Sequence, residues 1–142
     1  MGMFSMSSLN KLATCHEDLQ VLFNHVVKNF DCMIAVGHRG EAEQNQDVAE
    51  GKSKTPWPTS KHNSSPSMAV DVYPYPLPEW KNSNDFIFFG GYVLGVADLL
   101  YEQGLMRHKV RYGGDWNMNE RVSDSTFFDL GHFELYVPKD VE

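Results

Sequence analysis

His62, Asp71 and His132 occupy positions where their residue types call for a reason. Asp71 interrupts the apolar run Met68–Tyr73 (MAVDVY), and His132 opens a second apolar run, His132–Val137 (HFELYV). His62 lies in the polar stretch just ahead of the first run. A buried carboxylate is costly unless it is paired, hydrogen-bonded or bound to a metal. Imidazole nitrogen and carboxylate oxygen are the donors that zinc accepts in sites that keep one coordination position open. If the two runs are neighbouring strands, all three side chains can converge on one ion. Each residue alone has a plainer reading, a polar histidine at a strand entrance or a hydrogen-bonded structural aspartate. Asp129 adds weight, because it lies one turn ahead of His132, where a carboxylate can hold a reactive water and take its proton. Glu134 follows His132 by two residues and shares its face of a strand. It can orient a ligand histidine or compete with Asp129 as the base.

The elements that must position these groups follow from periodicity. Leu19, Leu22, Phe23, Val26, Val27 and Phe30 have helical spacing and predict an amphipathic helix over 16–30. Glu17 and Asp18 in its first turn suit the helix dipole, and His16 and His25 are expected to face solvent. Cys32–Val36 reads as a buried strand, 41–50 as a short helix and 51–67 as a long loop, a length that is usually functional or disordered. Met68–Tyr73 is the second strand, ended by the proline-rich run YPYPLP. A long helix starts at Asn84 or Asp85 and stops at Gly104. Gly90, Gly91 and Gly95 within it weaken helix propensity and predict close approach to a sheet. Lys109–Tyr112 is a third strand, leading into the turn GGDW, and His132–Val137 is the fourth. The pattern predicts an α+β domain over 1–142, with helices packed on a small, mostly antiparallel sheet of about four strands.

Composition narrows the function. The 142 residues carry a formal net charge of −7, which argues against a protein that grips nucleic acid through its phosphates. Cys15 and Cys32 bracket the first helix, too far apart for a disulfide, so two free thiols and synthesis in a reducing compartment are expected. The N-terminus lacks the basic and apolar regions of a signal peptide. The most apolar stretch, 86–100, contains three glycines and Asp98, so no membrane insertion is expected.

Four segments then carry a resemblance. SKHNSSPSMAVD resembles the Ser-x-His…Ala-x-Asp element of the LAS-type zinc peptidases, in the branch of D-alanyl-D-alanine carboxypeptidases and phage L-alanyl-D-glutamate endopeptidases. DLGHFEL resembles that branch's closing element, GHRGEAEQ its arginine-bearing segment and YGGDW the turn before its final strand. The insert SSPSM lengthens the usual gap between histidine and aspartate, and an outward bulge would accommodate it.

The resemblance implies a LAS/hedgehog-like fold and Zn2+ held by His62, Asp71 and His132. It implies Asp129 as catalytic base and Arg39 as the cation beside the scissile carbonyl. Ser60, Asp115 and Trp116 are candidates for substrate contact, with Ser60 equally suited to shaping its turn. The implied activity is hydrolysis of peptidoglycan peptides by a phage endolysin. A D,D-carboxypeptidase and a non-enzymatic zinc-binding virion module are the alternatives. A monomer is expected, made in the host cytoplasm. It would reach the wall through a membrane-permeabilising partner of holin type or by delivery in a virion.

Overall fold

Alternation along the strands sorts the sheet into an apolar face and a polar one, and this division organises the fold. In the computed structural model, which describes residues 2–121 and 129–139, four strands form one antiparallel sheet. They are β1 (Cys32–Val36), β2 (Ala69–Pro74), β3 (Lys109–Tyr112) and β4 (His132–Tyr136), in the spatial order β1-β2-β4-β3. Ile34, Val70, Val72, Val110, Tyr112, Phe133 and Leu135 belong to the core. The alternate residues Asp71, Tyr73, Arg111, His132 and Glu134 line a cleft on the other side.

The helices are α1 (Met6–Leu12), α2 (Glu17–Val26), α3 (Glu41–Ala49) and α4 (Ser83–Glu102). α2 and α4 cover the apolar face. Phe133 sits at its centre, edge-on to Phe23 at 5.5 Å and stacked on Tyr112 at 5.0 Å. Each such fully buried side chain contributes roughly 1.5–3 kcal/mol. The expected α+β architecture with an antiparallel sheet is therefore observed, and Cys15 and Cys32 are free, buried thiols. Burial pushes them up to about 11 and about 12, so they behave as small apolar residues.

Several local expectations are corrected. α1 is an additional helix; its seven residues bury only Ser8 and Leu12, too few to write a period into the sequence. α2 stops at Val26 rather than running to residue 30. The chain continues as tight turns that set Phe30 against Phe89 at 5.0 Å. His16 does not simply face solvent. Its Nδ1 accepts the Asp18 N–H at 2.9 Å and caps α2, while its ring meets His108 edge-on at 4.9 Å. Asp18 does more than complement a helix dipole, since its Oδ2 accepts the backbone N–H groups of Arg107 and His108 and pairs with His108 Nδ1 at 2.8 Å. This clamp ties the start of α2 to the entrance of β3.

Of the three α4 glycines, only Gly90 permits close approach. A Cβ there would stand 2.4 Å from the Tyr112 ring, which is pinned by hydrogen bonds to Phe86 O and Leu130 O. Gly91 and Gly95 have open space instead.

Both the close approach and the clamp can be tested through stability. Gly90→Ala should destabilise the protein by at least about 1 kcal/mol through overpacking, whereas Gly91→Ala and Gly95→Ala should each stabilise it by about 0.5–1 kcal/mol; equal effects at all three positions in denaturant titrations would contradict the packing described. Burial alone would raise the Asp18 pKa, but the His108 and backbone hydrogen bonds outweigh it and hold the group below its ordinary value. Asp18→Asn should therefore cost about 1–3 kcal/mol above pH ~4. That difference should close as pH falls through the lowered folded-state pKa, where wild-type Asp18 also becomes neutral.

Candidate active site

The sheet register brings the two strand residues together before any side-chain argument is needed. Asp71 on β2 lies directly opposite His132 on β4, with both side chains on the polar face. His62 arrives separately. Ser60 caps a single 3-10 turn, Lys61–Asn63, by accepting the His62 N–H at 3.2 Å. The inserted SSPSM segment does bulge outward: Ser64, Ser65 and Pro66 are exposed, and Met68 N–H closes the bulge on Lys61 O at 3.0 Å. A register irregularity between Ile34 and Val36 leads β1 into Gly37, whose carbonyl receives His62 Nδ1 at 2.8 Å.

The resulting group is tight. His62 Nε2 and His132 Nδ1 each lie 3.2 Å from the same Asp71 oxygen, Oδ1, and all three residues are buried. The far nitrogens are engaged elsewhere, His62 Nδ1 with Gly37 O and His132 Nε2 with Glu134 Oε1 at 2.9 Å. Without an ion, a near nitrogen can share a proton with Asp71 Oδ1; in the tautomer protonated on the far nitrogen, each ring instead turns a lone pair into the group, as an ion requires. Ligand atoms around a tetrahedral ion at ~2.0–2.1 Å stand ~3.3 Å apart. The separations and tautomers thus fit a divalent ion with two imidazoles and one carboxylate as ligands.

The surrounding groups are held as firmly. Asp129 Oδ2 is 3.8 Å from His132 Nδ1. Its backbone is pinned on both sides, Asp129 N–H to Gly113 O at 3.0 Å and His132 N–H to Asp129 O at 3.0 Å. Gly113 is required there, since a Cβ would fall 2.0 Å from Asp129 O. Partial burial and the nearby Asp71 charge raise the Asp129 pKa. Arg39 is fixed by Asp47 at 3.1 Å and by Gln44 at 3.1 Å, and turns its remaining nitrogen toward Asp71 Oδ2 at 3.8 Å. Glu134 lies against His132, Lys61 and Arg111. Burial opposes its ionisation, but His132 and Lys61 hold its pKa below the ordinary value.

These groups line a cleft of about 850 Å³, together with Ser60 and Trp116. The Trp116 ring lies 5.3 Å from that of His132. Asp115 is not among the cleft residues. Its carboxylate accepts the N–H groups of Asn119 and Glu120 and shapes the 115–120 turn.

Four participants have no clear signal in the sequence. Gln44 is fully buried and bonds Arg39, Asn63, Ser53 and Thr55, yet it sits in a segment polar throughout. Tyr73 and Trp80 form one wall of the cleft, edge-on at 5.1 Å. Arg111 lies on the floor opposite Glu134. Its alternation with Val110 and Tyr112 was the available signal, but the pairing register was not.

Two comparisons bear on this arrangement. Residues 1–136 match the family model described as phage L-alanyl-D-glutamate peptidase. The crystal structure of the Serratia marcescens L-Ala D-Glu endopeptidase ChiX superposes with a TM-score of 0.69 at 24% identity, covering 95% of this chain and 91% of that one. No curated protein sequence matches significantly.

The site carries a pH signature. Burial alone would lower the His132 pKa, but hydrogen bonds that the ring donates to Asp71 and Glu134 push it up to about 9 in the metal-free protein. Protonated His132 then stabilises the fold fully below its unfolded pKa of ~6.5, and that contribution is lost as pH rises through about 9. Chelator-treated protein should lose roughly 5–10 °C of Tm between pH 6.5 and 9. His132→Gln should abolish that dependence; an unchanged slope would show that another group carries it.

Proposed function

The chain belongs to the phage L-alanyl-D-glutamate peptidase family, and from that membership we propose how its cleft hydrolyses the peptides of peptidoglycan. The enzyme is a peptidoglycan peptidase whose residues divide the chemistry among them. His62 through Nε2, Asp71 through its carboxylate and His132 through Nδ1 would hold Zn2+. When bound, the ion lowers the pKa of water and polarises the scissile carbonyl. Asp129 accepts the proton of the attacking water as the new carbon–oxygen bond forms. It returns that proton to the peptide nitrogen as the carbon–nitrogen bond breaks. Its carboxylate stands 3.8 Å from His132 Nδ1, close enough to the site to hold the proton between the two transfers.

Arg39 is a preorganised cation for the charge developing on the carbonyl oxygen. Its ties to Asp47 and Gln44 remove any need to reorganise during the reaction. Glu134 keeps the His132 ring in the required tautomer. Its contacts with His132 and Lys61 make it a poorer proton acceptor than Asp129, and this favours Asp129 as the base. Ser60 shapes the turn that presents His62, and Trp116 contacts substrate along the cleft. Asp115 supports the turn bearing Trp116 rather than touching substrate.

The observation that carries this reading is the convergence of two imidazole nitrogens on one buried carboxylate oxygen, each with its far nitrogen already occupied. Among the described residues, no helix is long and apolar enough to cross a membrane. Action as a monomer, with access to the wall through a holin-type partner, belongs to the same proposal.

The test combines metal analysis with hydrolysis of purified wall. The protein should contain one zinc per chain, lose activity on chelation and regain it with zinc. Asp129→Asn should retain the metal while kcat falls about 10²–10⁴-fold. Full activity in that variant would exclude Asp129 as base, and activity indifferent to chelation would exclude the metal.

A further inference from the structure

The cleft is electrically unlike the rest of the molecule. Five cationic side chains and four carboxylates line it, in a chain whose formal net charge is −7. Most of these cations are committed. Arg39 is held by Asp47 and Gln44, Lys61 reaches Leu135 O and Glu134, and exposed Lys52 pairs with Glu50.

Arg111 differs. Its Nε–H donates to Trp116 O at 2.7 Å, and its guanidinium lies over the Trp116 ring at 4.9 Å. NH1 is 3.8 Å from Glu134 Oε2, an ion pair longer than a hydrogen bond, and the side chain remains 36% exposed. A guanidinium has five donors in a planar fork that matches a carboxylate. Here the fork is oriented by an anchor and a stacking surface, with donor capacity left toward the cleft.

We propose that Arg111 is a specificity-determining residue that binds the free carboxylate of the glutamate following the scissile bond. This rests on the alanyl-glutamyl peptidase reading above. An endopeptidase that cuts at the amino side of glutamate meets a residue with two carboxyl groups, of which one continues the chain and the other is free. Arg111 on β3 stands opposite Glu134, one same-face step along β4 from the Asp71–His132 pair, and both groups line the same cleft. From the scissile carbonyl carbon to a carboxyl on the next α-carbon is at most ~3.7 Å. The carboxyl C–O bond and a charge-assisted hydrogen bond of ~2.8 Å bring the reach to ~6–7 Å. A free α-carboxylate, on a glutamate whose side-chain carboxyl continues the chain, comes within that reach of the scissile bond.

The test uses two synthetic peptides that differ in one group, an alanyl-γ-glutamyl peptide with its α-carboxylate free and the same peptide with that group as a primary amide. The zinc-loaded wild type should prefer the acid by about 10- to 100-fold in kcat/KM, mainly through KM. Arg111→Gln should bring the acid-to-amide ratio close to one, and Arg111→Lys should retain part of it. Because the ratio is measured on one preparation, partial misfolding of a variant cancels. A variant that slows both peptides equally would overturn the inference, since Arg111 would then only support Glu134 and Trp116. A wild type indifferent to amidation would overturn it too. A folded, zinc-loaded wild type that cuts neither peptide would overturn the proposed function itself, and this inference with it.

Discussion

The fold is arranged around one unfavourable placement, a carboxylate in the second strand of a sheet and buried with it. Asp71 is tolerated because two imidazoles approach one of its oxygens and a guanidinium approaches the other. Burial works against its ionised form, yet the two imidazoles hold its pKa well below the usual carboxylate range. Remove the partners and the strand would carry an uncompensated charge. The groups that stabilise Asp71 are the same ones that can hold a metal ion, so the stability of this strand and the chemistry of the cleft are one problem.

The rest of the scaffold solves it by division of labour. The antiparallel register sends Val70, Val72, Phe133 and Leu135 to one face and Asp71, His132 and Glu134 to the other. A slip of one residue would exchange the faces. The aromatic packing around Phe133 is therefore what keeps His132 opposite Asp71. The loops supply what strands cannot. Gln44 ties the Arg39 segment, the 53–55 loop and the His62 turn into one unit through its amide, so two groups from irregular chain reach the sheet in fixed positions.

Two members of the buried group that the fold assembles, Asp71 and His132, were legible because each broke a local rule. A carboxylate inside an apolar run, a histidine opening another and an acid one turn before it are anomalies visible without a structure. The four strands were legible for the complementary reason, since their apolar residues obeyed a period. What stayed hidden has no local signature. Gln44 looks like any glutamine in a polar helix, and its burial depends on Ser53, Thr55 and Asn63 closing around it. Arg111 alternates correctly with Val110 and Tyr112, but its value depends on which residue of β4 stands opposite. α1 is too short to write a pattern. Gly91 and Gly95 carried the same signal as Gly90, and only the position of Tyr112 separates them. Sequence discloses exceptions and periodicities; partners distant along the chain come only with the register.

A second group of the same composition shows why residue type alone would not have sufficed. His16, Asp18 and His108 also lie close enough together to suggest a metal. Their hydrogen bonds say otherwise. His16 Nδ1 commits its lone pair to the Asp18 N–H, so in the neutral ring the proton sits on Nε2 and no lone pair is left for an ion. Asp18 Oδ2 takes two backbone N–H groups as well as His108 Nδ1. That arrangement is consumed in capping a helix and fastening it to a strand. At His62 and His132 the assignments are reversed, with the far nitrogens occupied and the near ones facing the carboxylate. Two imidazoles and a carboxylate become a candidate metal site only when hydrogen bonding from behind frees the nitrogens in front. By that criterion the described residues contain one clamp and one candidate metal site.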